Sequence, residues 1–354
     1  MLVFCCAASL ATHECRRFLF FRFNQDLCPM SLDTVNVLTS VTSQTAAALF
    51  GLGQVAAKAV MQRTLAQPVE CSGIGVHSGE SVTLRLLPAP EDTGITFIRT
   101  DLYNGARTIK ARWDSVIDTR MCTVIGNDHG GKVATIEHLM AALHACGIDN
   151  AIIEINGSEV PVMDGSSESF VFLIEVAGTT TQALPKREIE ILSPVFIEQN
   201  GKSASLSPSA QARYSVTIDF DRAPIQTQSC DVTLSPASFK NEISRARTFG
   251  FYEEVEQMQK AGLGRGGSLD NAIVIKGDSV MNKDGLRFNN EFARHKVLDA
   301  IGDLALAGMP IRGHFQGHCC GHALNNKLLQ ALFAKPDAWR VVETTAKINA
   351  QPVA

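Results

Sequence analysis

The 354-residue chain has no CxxC pair, and its ten cysteines follow no spacing of a disulfide framework or cysteine-rich zinc module. Free thiols in a reducing cytoplasm are the plain reading. It also lacks any long basic run, and its formal net charge is −4. That excludes a general nucleic-acid binder, while leaving an anionic small substrate to be met by a few local Lys or Arg. A clean membrane span is missing too. The apolar run that opens MLVFCCAASLATHECRRFLFFRF is followed by its positive charges instead of preceded by them, which makes a poor signal peptide. Residues 45–60, TAAALFGLGQVAAKAV, are too short to span and contain Gln54 and Lys58.

Two readings of residues 1–60 remain: an organelle-targeting remnant built on Arg16, Arg17 and Arg22, or an extension that is disordered or an over-long start, with Met30 or Met61 as the natural beginning. Either way they stand outside the fold argument. At 45% hydrophobic and 19% charged residues the whole chain reads as a globular protein of enzyme size. It is long enough for two ordinary domains, each of roughly 100–200 residues, with cores that need no staples.

From Met61 onward short strands and helices interleave. SVTLRLLP (81–88) alternates Val82, Leu84 and Leu86 against Thr83 and Arg85, a half-buried strand. GITFIRT (94–100) and NAIIEING (150–157) are further strands, and ATIEHLMAALHACG (134–147) is a helix stopped by Gly147. Residues 178–187, with three threonines and Pro185, make the best linker. Strands resume in 188–198 and in SLSPSAQARYSVTIDF, then helices are expected over 240–262 and 291–308. The connections are too irregular for repeated βαβ units, so the fold class is α+β. No internal sequence repeat is evident.

In the 291–308 helix, His295, Asp299 and Asp303 recur every four residues and share one face, opposite Val297, Leu298, Ile301, Leu304 and Leu306. An imidazole and a carboxylate from successive turns are a competent pair of metal ligands. On this spacing alone, a solvated polar face with a capping salt bridge is the simpler reading. His138 could complete a three-ligand site, with Glu137 beside it as general base for a water. A lone Glu-His pair, however, is also an ordinary feature of a helix. In GHFQGHCCGHALNN (313–326), His314, His318 and His322 each follow a glycine. This segment could be a second metal site using His318, Cys319, Cys320 and His322, or could supply a cationic histidine held charged by Asp303.

TIEHLMAALHACGIDN, RTFGF, GLGRGGSLDNAIVI, DGLRF, RHKVLDAIGDL and GHALNNKLL occur in this order, with GIGVHSG and EVPVMDGSS upstream of most of them. Together they resemble the UDP-3-O-acyl-N-acetylglucosamine deacetylases (the LpxC family), from about Met61 to about Trp339. The resemblance implies two similar α+β domains, each a β-sheet layered with α-helices in a β-α-α-β sandwich, with the active site between them. Placed on this chain they are 61–183 and 184–354, with an insert at about 247–290 forming a passage for an acyl chain.

It also implies zinc-dependent removal of the N-acetyl group from UDP-3-O-(3-hydroxyacyl)-N-acetylglucosamine in bacterial lipid A biosynthesis. The implied zinc ligands are His138, His295 and Asp299; Fe²⁺ suits two histidines and a carboxylate equally. Glu137 would be the general base, His322 the cationic or general-acid partner oriented by Asp303, and Thr248 a holder of the oxyanion. Lys296 and Lys202 would contact substrate, with Phe249 near the mouth of the passage. The partner implied is the UDP-linked acylated amino sugar in a bacterial cytoplasm, with no nucleic acid, no transmembrane segment, and room for a peripheral membrane contact.

His314, His318, Cys319 and Cys320 fall outside the family pattern, which leaves open a second metal. His77 belongs to a motif but is given no catalytic role, and Cys122 is read as a buried thiol near the site. The rival readings are a non-catalytic metal or lipid-nucleotide binding protein, which would lack Glu137 or His322, and a zinc hydrolase of another amide.

Overall fold

Strand Ser81–Pro88 buries the face formed by Val82, Leu84 and Leu86, as its alternation requires. The structure, a computed structural model, describes residues 58–346. The apolar stretches near the start of the chain lie outside the described residues, except that Ala59 bridges to Thr345. The longer helices are α1 (Glu137–Ala145), α2 (Glu168–Ala177), α3 (Tyr252–Lys260), α4 (Glu291–Ala305) and α5 (His322–Phe333).

Two five-stranded sheets carry the fold, and they share one topology. In the first, Val69–Ile74 pairs antiparallel with Ser81–Pro88, which pairs antiparallel with Ala151–Ile155. That strand runs parallel to Ile95–Arg99, and Thr108–Lys110 closes the edge antiparallel. In the second, Val195–Gln199, Lys202–Ser207, His314–His318, Arg213–Asp219 and Thr227–Thr233 repeat the same order and the same strand senses. In each half one helix precedes the central strand and one follows it: α1 and α2 in the first, α4 and α5 in the second.

Helix α2 packs on the first sheet, while α4 and α5 pack on the second, and α1 lies directly against α4. The layers are therefore sheet, helices, helices, sheet. Burial explains why α4 is central. Every residue in it except Arg294 and Lys296 is buried. Leu298, Ile301 and Leu304 are almost wholly shielded from solvent, each worth roughly 1.5–3 kcal/mol. The solvated polar face considered for this helix does not exist.

Two expectations are corrected. Residues 178–187 are not a linker: Thr179–Pro185 is a strand paired antiparallel with Met61–Leu65. Its three threonines are β-branched residues that favour a pleated surface over a free loop. Residues 240–262 are not one helix. A π-turn at Phe239–Ile243 gives way to strand Phe249–Phe251, parallel to Ile273–Lys276, and only Tyr252–Lys260 is α-helical. The aromatic Phe249 and Phe251 go to this three-stranded sheet, and no buried residue holds α3. Helix α1 is also shorter than expected, because Thr135 has φ +57° and helical geometry starts only after it.

Candidate active site

A cavity of about 400 Å³ opens where α1 and α4 meet, and both halves of the chain line it. Glu137 and His138 come from the first turn of α1, His295, Lys296 and Asp299 from α4, and His322 from the first residue of α5. Close approach of α1 and α4 depends on Gly302, where a Cβ would stand 2.0 Å from the Glu137 carbonyl oxygen.

His138, His295 and Asp299 each offer one ligand atom, all within 4.8 Å of one another, and all three residues are buried. Asp299 Oδ1 lies 3.3 Å from His295 Nε2 and 3.6 Å from His138 Nε2, and it is buried without a hydrogen-bond partner. Its other oxygen accepts from Lys296 Nζ at 2.7 Å. His295 Nδ1 donates to the Ala246 carbonyl at 3.0 Å, which leaves the Nε2 lone pair turned to the cluster. Burial, with His138 and Lys296 nearby, pushes His295 down to about 3, so the ring is neutral. Burial opposes ionisation of Asp299, but the Lys296 ammonium beside it holds it well below the usual carboxylate range. Two neutral imidazoles and an ionised carboxylate around an orphaned oxygen fit a divalent cation.

Beside the triad, Glu137 Oε2 accepts from the Thr123 amide at 3.0 Å, and Oε1 lies 3.7 Å from His322 Nε2. Burial raises the Glu137 carboxyl, partly countered by His322 and His138. His322 Nδ1 donates to Asp303 Oδ2 at 2.8 Å. Asp303 is held in turn by Asn325 Nδ2 at 2.8 Å and by the Thr123 hydroxyl. Burial would lower His322, but Asp303 and Glu137 outweigh it and push it up to about 10. The ring is therefore a cation at neutral pH, aimed at Glu137.

Thr248 also lines the cavity. Its amide donates to Gly165 O and its carbonyl accepts from Ile273 N, so only the hydroxyl is left for the cavity. Phe249 packs edge-on against His295 and lies beneath Lys296 Nζ. From there Val255, Met258, Leu269, Ala272, Val274 and Met281 extend an apolar wall. Lys202 is exposed at the start of its strand and is not among the residues lining the cavity.

His314, His318, Cys319 and Cys320 are not brought together. His314 bonds to Ser215 at 2.7 Å, His318 is exposed on the strand with Cys319 Sγ 3.8 Å away, and Cys320 is buried. Among the described residues the one cluster of metal-ligating type is the His138 triad. The described cysteines are free, and Cys122 is a buried thiol on the cavity wall, pushed up to about 12 by burial and by Glu137.

Thr123, Thr135, Asn325 and Glu159 were missed from sequence. Each acts through a hydrogen bond to a distant residue, which leaves no local pattern. His77 is more than a motif residue: it lines the cavity and its Nδ1 is buried without a partner.

The doubled α+β architecture and a buried triad flanked by an acid and a cationic histidine fit a hydrolase of the metalloenzyme type. The chain belongs to the LpxC family: residues 62–334 match the model for UDP-3-O-acyl N-acetylglycosamine deacetylase. It is 50% identical over 286 residues to the UDP-3-O-acyl-N-acetylglucosamine deacetylase of Acidithiobacillus ferrooxidans, covering 80% of this chain and 93% of that protein. The enzymes of that name from Phenylobacterium zucineum and Chromobacterium violaceum are 46% and 48% identical, covering 80% and 79% of this chain and 96% and 92% of theirs.

Proposed function

We infer that this deacetylase removes the N-acetyl group of UDP-3-O-(3-hydroxyacyl)-N-acetylglucosamine, giving acetate and the free amine in lipid A biosynthesis. Its metal, Zn²⁺ in this reading with Fe²⁺ as the alternative, is held by His138, His295 and Asp299. The observation that carries the metal site is Asp299 Oδ1, buried and unpartnered between two imidazole nitrogens.

When bound, such a metal polarises the amide carbonyl and makes a nearby water more acidic. Glu137 takes a proton from the water that attacks the acetyl carbon, and its raised pKa suits it to give that proton back. His322 and the Thr248 hydroxyl meet the negative charge that develops on the carbonyl oxygen. Asp303 keeps His322 cationic and orients it. As the C–N bond breaks, protonated Glu137 and the His322 imidazolium are the two donors within reach of the leaving nitrogen.

Lys296 contacts the substrate at the rim, and the apolar wall from Phe249 through the insert at about 247–290 takes the acyl chain. Lys202, outside the cavity, is assigned to the part of the substrate that projects beyond it. The two halves are assigned to 61–183 and to the chain from 184 onward, in a bacterial cytoplasm. Among the described residues no helix is long and apolar enough to cross a membrane.

The test is release of free amine from UDP-3-O-(3-hydroxyacyl)-N-acetylglucosamine by purified protein, with metal analysis, for wild type and Glu137→Ala. Turnover that collapses in the variant while metal is retained supports both reaction and role. One metal per chain without amine release would sink the assignment and favour a non-catalytic binding protein or another amide substrate.

A further inference from the structure

Glu159 does not line the cavity, yet three of the cavity's walls hang on its carboxylate. It is 4% exposed and sits beside Ala134, to which it forms a parallel bridge. Oε1 accepts from the His77 amide at 2.9 Å and from the Thr135 hydroxyl at 3.0 Å, while Oε2 accepts from the Ser78 amide at 2.8 Å. Two consecutive backbone amides and one hydroxyl on a buried carboxylate are charge-assisted bonds, stronger than neutral ones.

The first arm reaches the catalytic helix. Thr135 is β-branched, yet it holds φ +57°, a strained conformation that persists only where its surroundings over-determine it. Its hydroxyl bond to Glu159 is one such constraint. Two residues further on, α1 begins with Glu137 and His138. The direction in which the chain leaves Thr135 therefore sets where these two side chains point.

The second arm reaches the loop 75–79. This loop closes on itself through Gly79 N to Gly75 O and passes close over Glu159, where a Cβ at residue 75 would stand 2.3 Å from Ser78 Oγ and 2.4 Å from Glu159 Oε2. The loop then holds the insert backbone to backbone, with Gly266 N bonded to Val76 O at 3.1 Å and Arg265 N to His77 O at 3.3 Å. A Cβ at Gly266 would lie 2.3 Å from Gly75 O, so the two loops touch without side chains between them. Val76 and His77 line one side of the cavity, and Gly264, Gly267, Ser268 and Leu269 line another.

We propose that Glu159 is a positioning residue for the deacetylation, coupling the strained entry into α1 to the two loops that close the cavity over the substrate. This rests on the reading of Glu137 and His138 given above. Glu159 touches no reacting atom; it acts through Thr135 on the catalytic pair and through His77 and Ser78 on the cavity wall.

The test uses the full-length metal-loaded protein and three variants. Glu159→Gln preserves volume, but its amide nitrogen cannot accept, so at least one of the three donors is left without a partner. Its kcat/KM is expected to fall about 10–100-fold, with metal content unchanged. Mass-spectrometric hydrogen exchange of peptides covering 75–79 and 264–267 is expected to quicken about tenfold or more, while peptides from α4 stay at the wild-type rate.

Thr135→Val removes only the arm to α1 and is expected to lower kcat with KM near wild type. Thr135→Ser keeps the hydroxyl and should restore kcat. Wild-type kcat and KM in Glu159→Gln would overturn the proposal. So would exchange at 75–79 that is unchanged, or that quickens only in step with α4 as in general destabilisation. The exchange measurement needs no substrate, so a wild type that releases no amine would defeat the functional assignment and leave the Glu159 linkage to be judged on exchange.

Discussion

Gly302 of α4 faces the carbonyl of Glu137 of α1 so closely that a Cβ at 302 would lie 2.0 Å from that oxygen and 2.7 Å from its carbon. The atoms in the way are backbone, so neither helix can yield without moving its neighbours. This one contact brings Glu137 and His138 onto the same cavity as His295 and Asp299. Gly302→Ala is therefore expected to force the helices apart. A loss of about 1–3 kcal/mol or more is the usual cost of overpacking, and metal content should fall with it. Thermal unfolding and metal analysis check this, and a variant with wild-type melting and full metal would mean that the helices are not set by this contact.

The Asp303–His322 pair sets a pH dependence. His322 is raised from an ordinary 6.5 to about 10. A raised imidazole stabilises the folded state fully below the unfolded value, and that stability is lost as pH climbs through the folded one. The window is thus pH 6.5 to about 10. Asp303→Asn removes the largest charge that raises His322. The alkaline limb of kcat/KM is expected to move down by about 1–3 pH units, and the fall in stability across the window should flatten. Activity and unfolding followed from pH 6 to about 11 test it; an unmoved limb would mean that another group sets it.

Much of this was open to inspection in the residues alone, but unevenly. Strand Ser81–Pro88 follows directly from alternation, and the long run of apolar residues made α4 readable. The clustering of His138, His295 and Asp299 was not legible from spacing, since His295 and Asp299 look like a surface pair until burial is known. Only the ordered motifs made it so. The repeated sheet topology left no trace in sequence, because strand order and pairing sense are shared while side chains are not. The break in 240–262 went unseen because Arg247 and Phe249 read as helix residues. Each is in fact claimed by a distant partner, Glu291 for one and Ile273 for the other.

Lys296 is assigned two tasks, holding Asp299 and contacting substrate, that can be separated. Its Nζ holds Asp299 Oδ2 at 2.7 Å, and the Lys side chain is 24% exposed toward the cavity. Lys296→Ala leaves a buried carboxylate oxygen without its donor, so metal affinity is expected to fall about 10–100-fold, as for other groups that orient a ligand. With metal added back to saturation, a remaining rise in KM isolates the contact with substrate. Metal titration against a competing chelator, followed by kinetics at saturating metal, reads the two effects in turn. Unchanged metal affinity would leave substrate contact as its sole role.

Arg247 and Glu291 form a buried ion pair that ties the Thr248 segment to the start of α4. Glu291 is fully buried and accepts from Arg247 Nε at 2.9 Å, and also from the backbone amides of Arg247 and Arg287. Arg247 Nη2 goes on to the Gly285 carbonyl at 2.8 Å. One residue beyond Arg247 stands Thr248, and one turn beyond Glu291 stands His295, so the pair fixes the distance between them. Arg247→Met strands a buried carboxylate, which typically costs about 3–5 kcal/mol. Replacing both with Arg247→Met and Glu291→Met removes the stranded charge and should cost less than the single change, although two backbone amides then lose their acceptor. Urea unfolding of the wild type, both single variants and the double variant measures the coupling. Additive losses would mean that the two side chains contribute independently. A double variant more stable than Arg247→Met, yet slower in kcat than wild type, is the expected result, because on the proposed mechanism the pair holds Thr248 against His295 and Asp299.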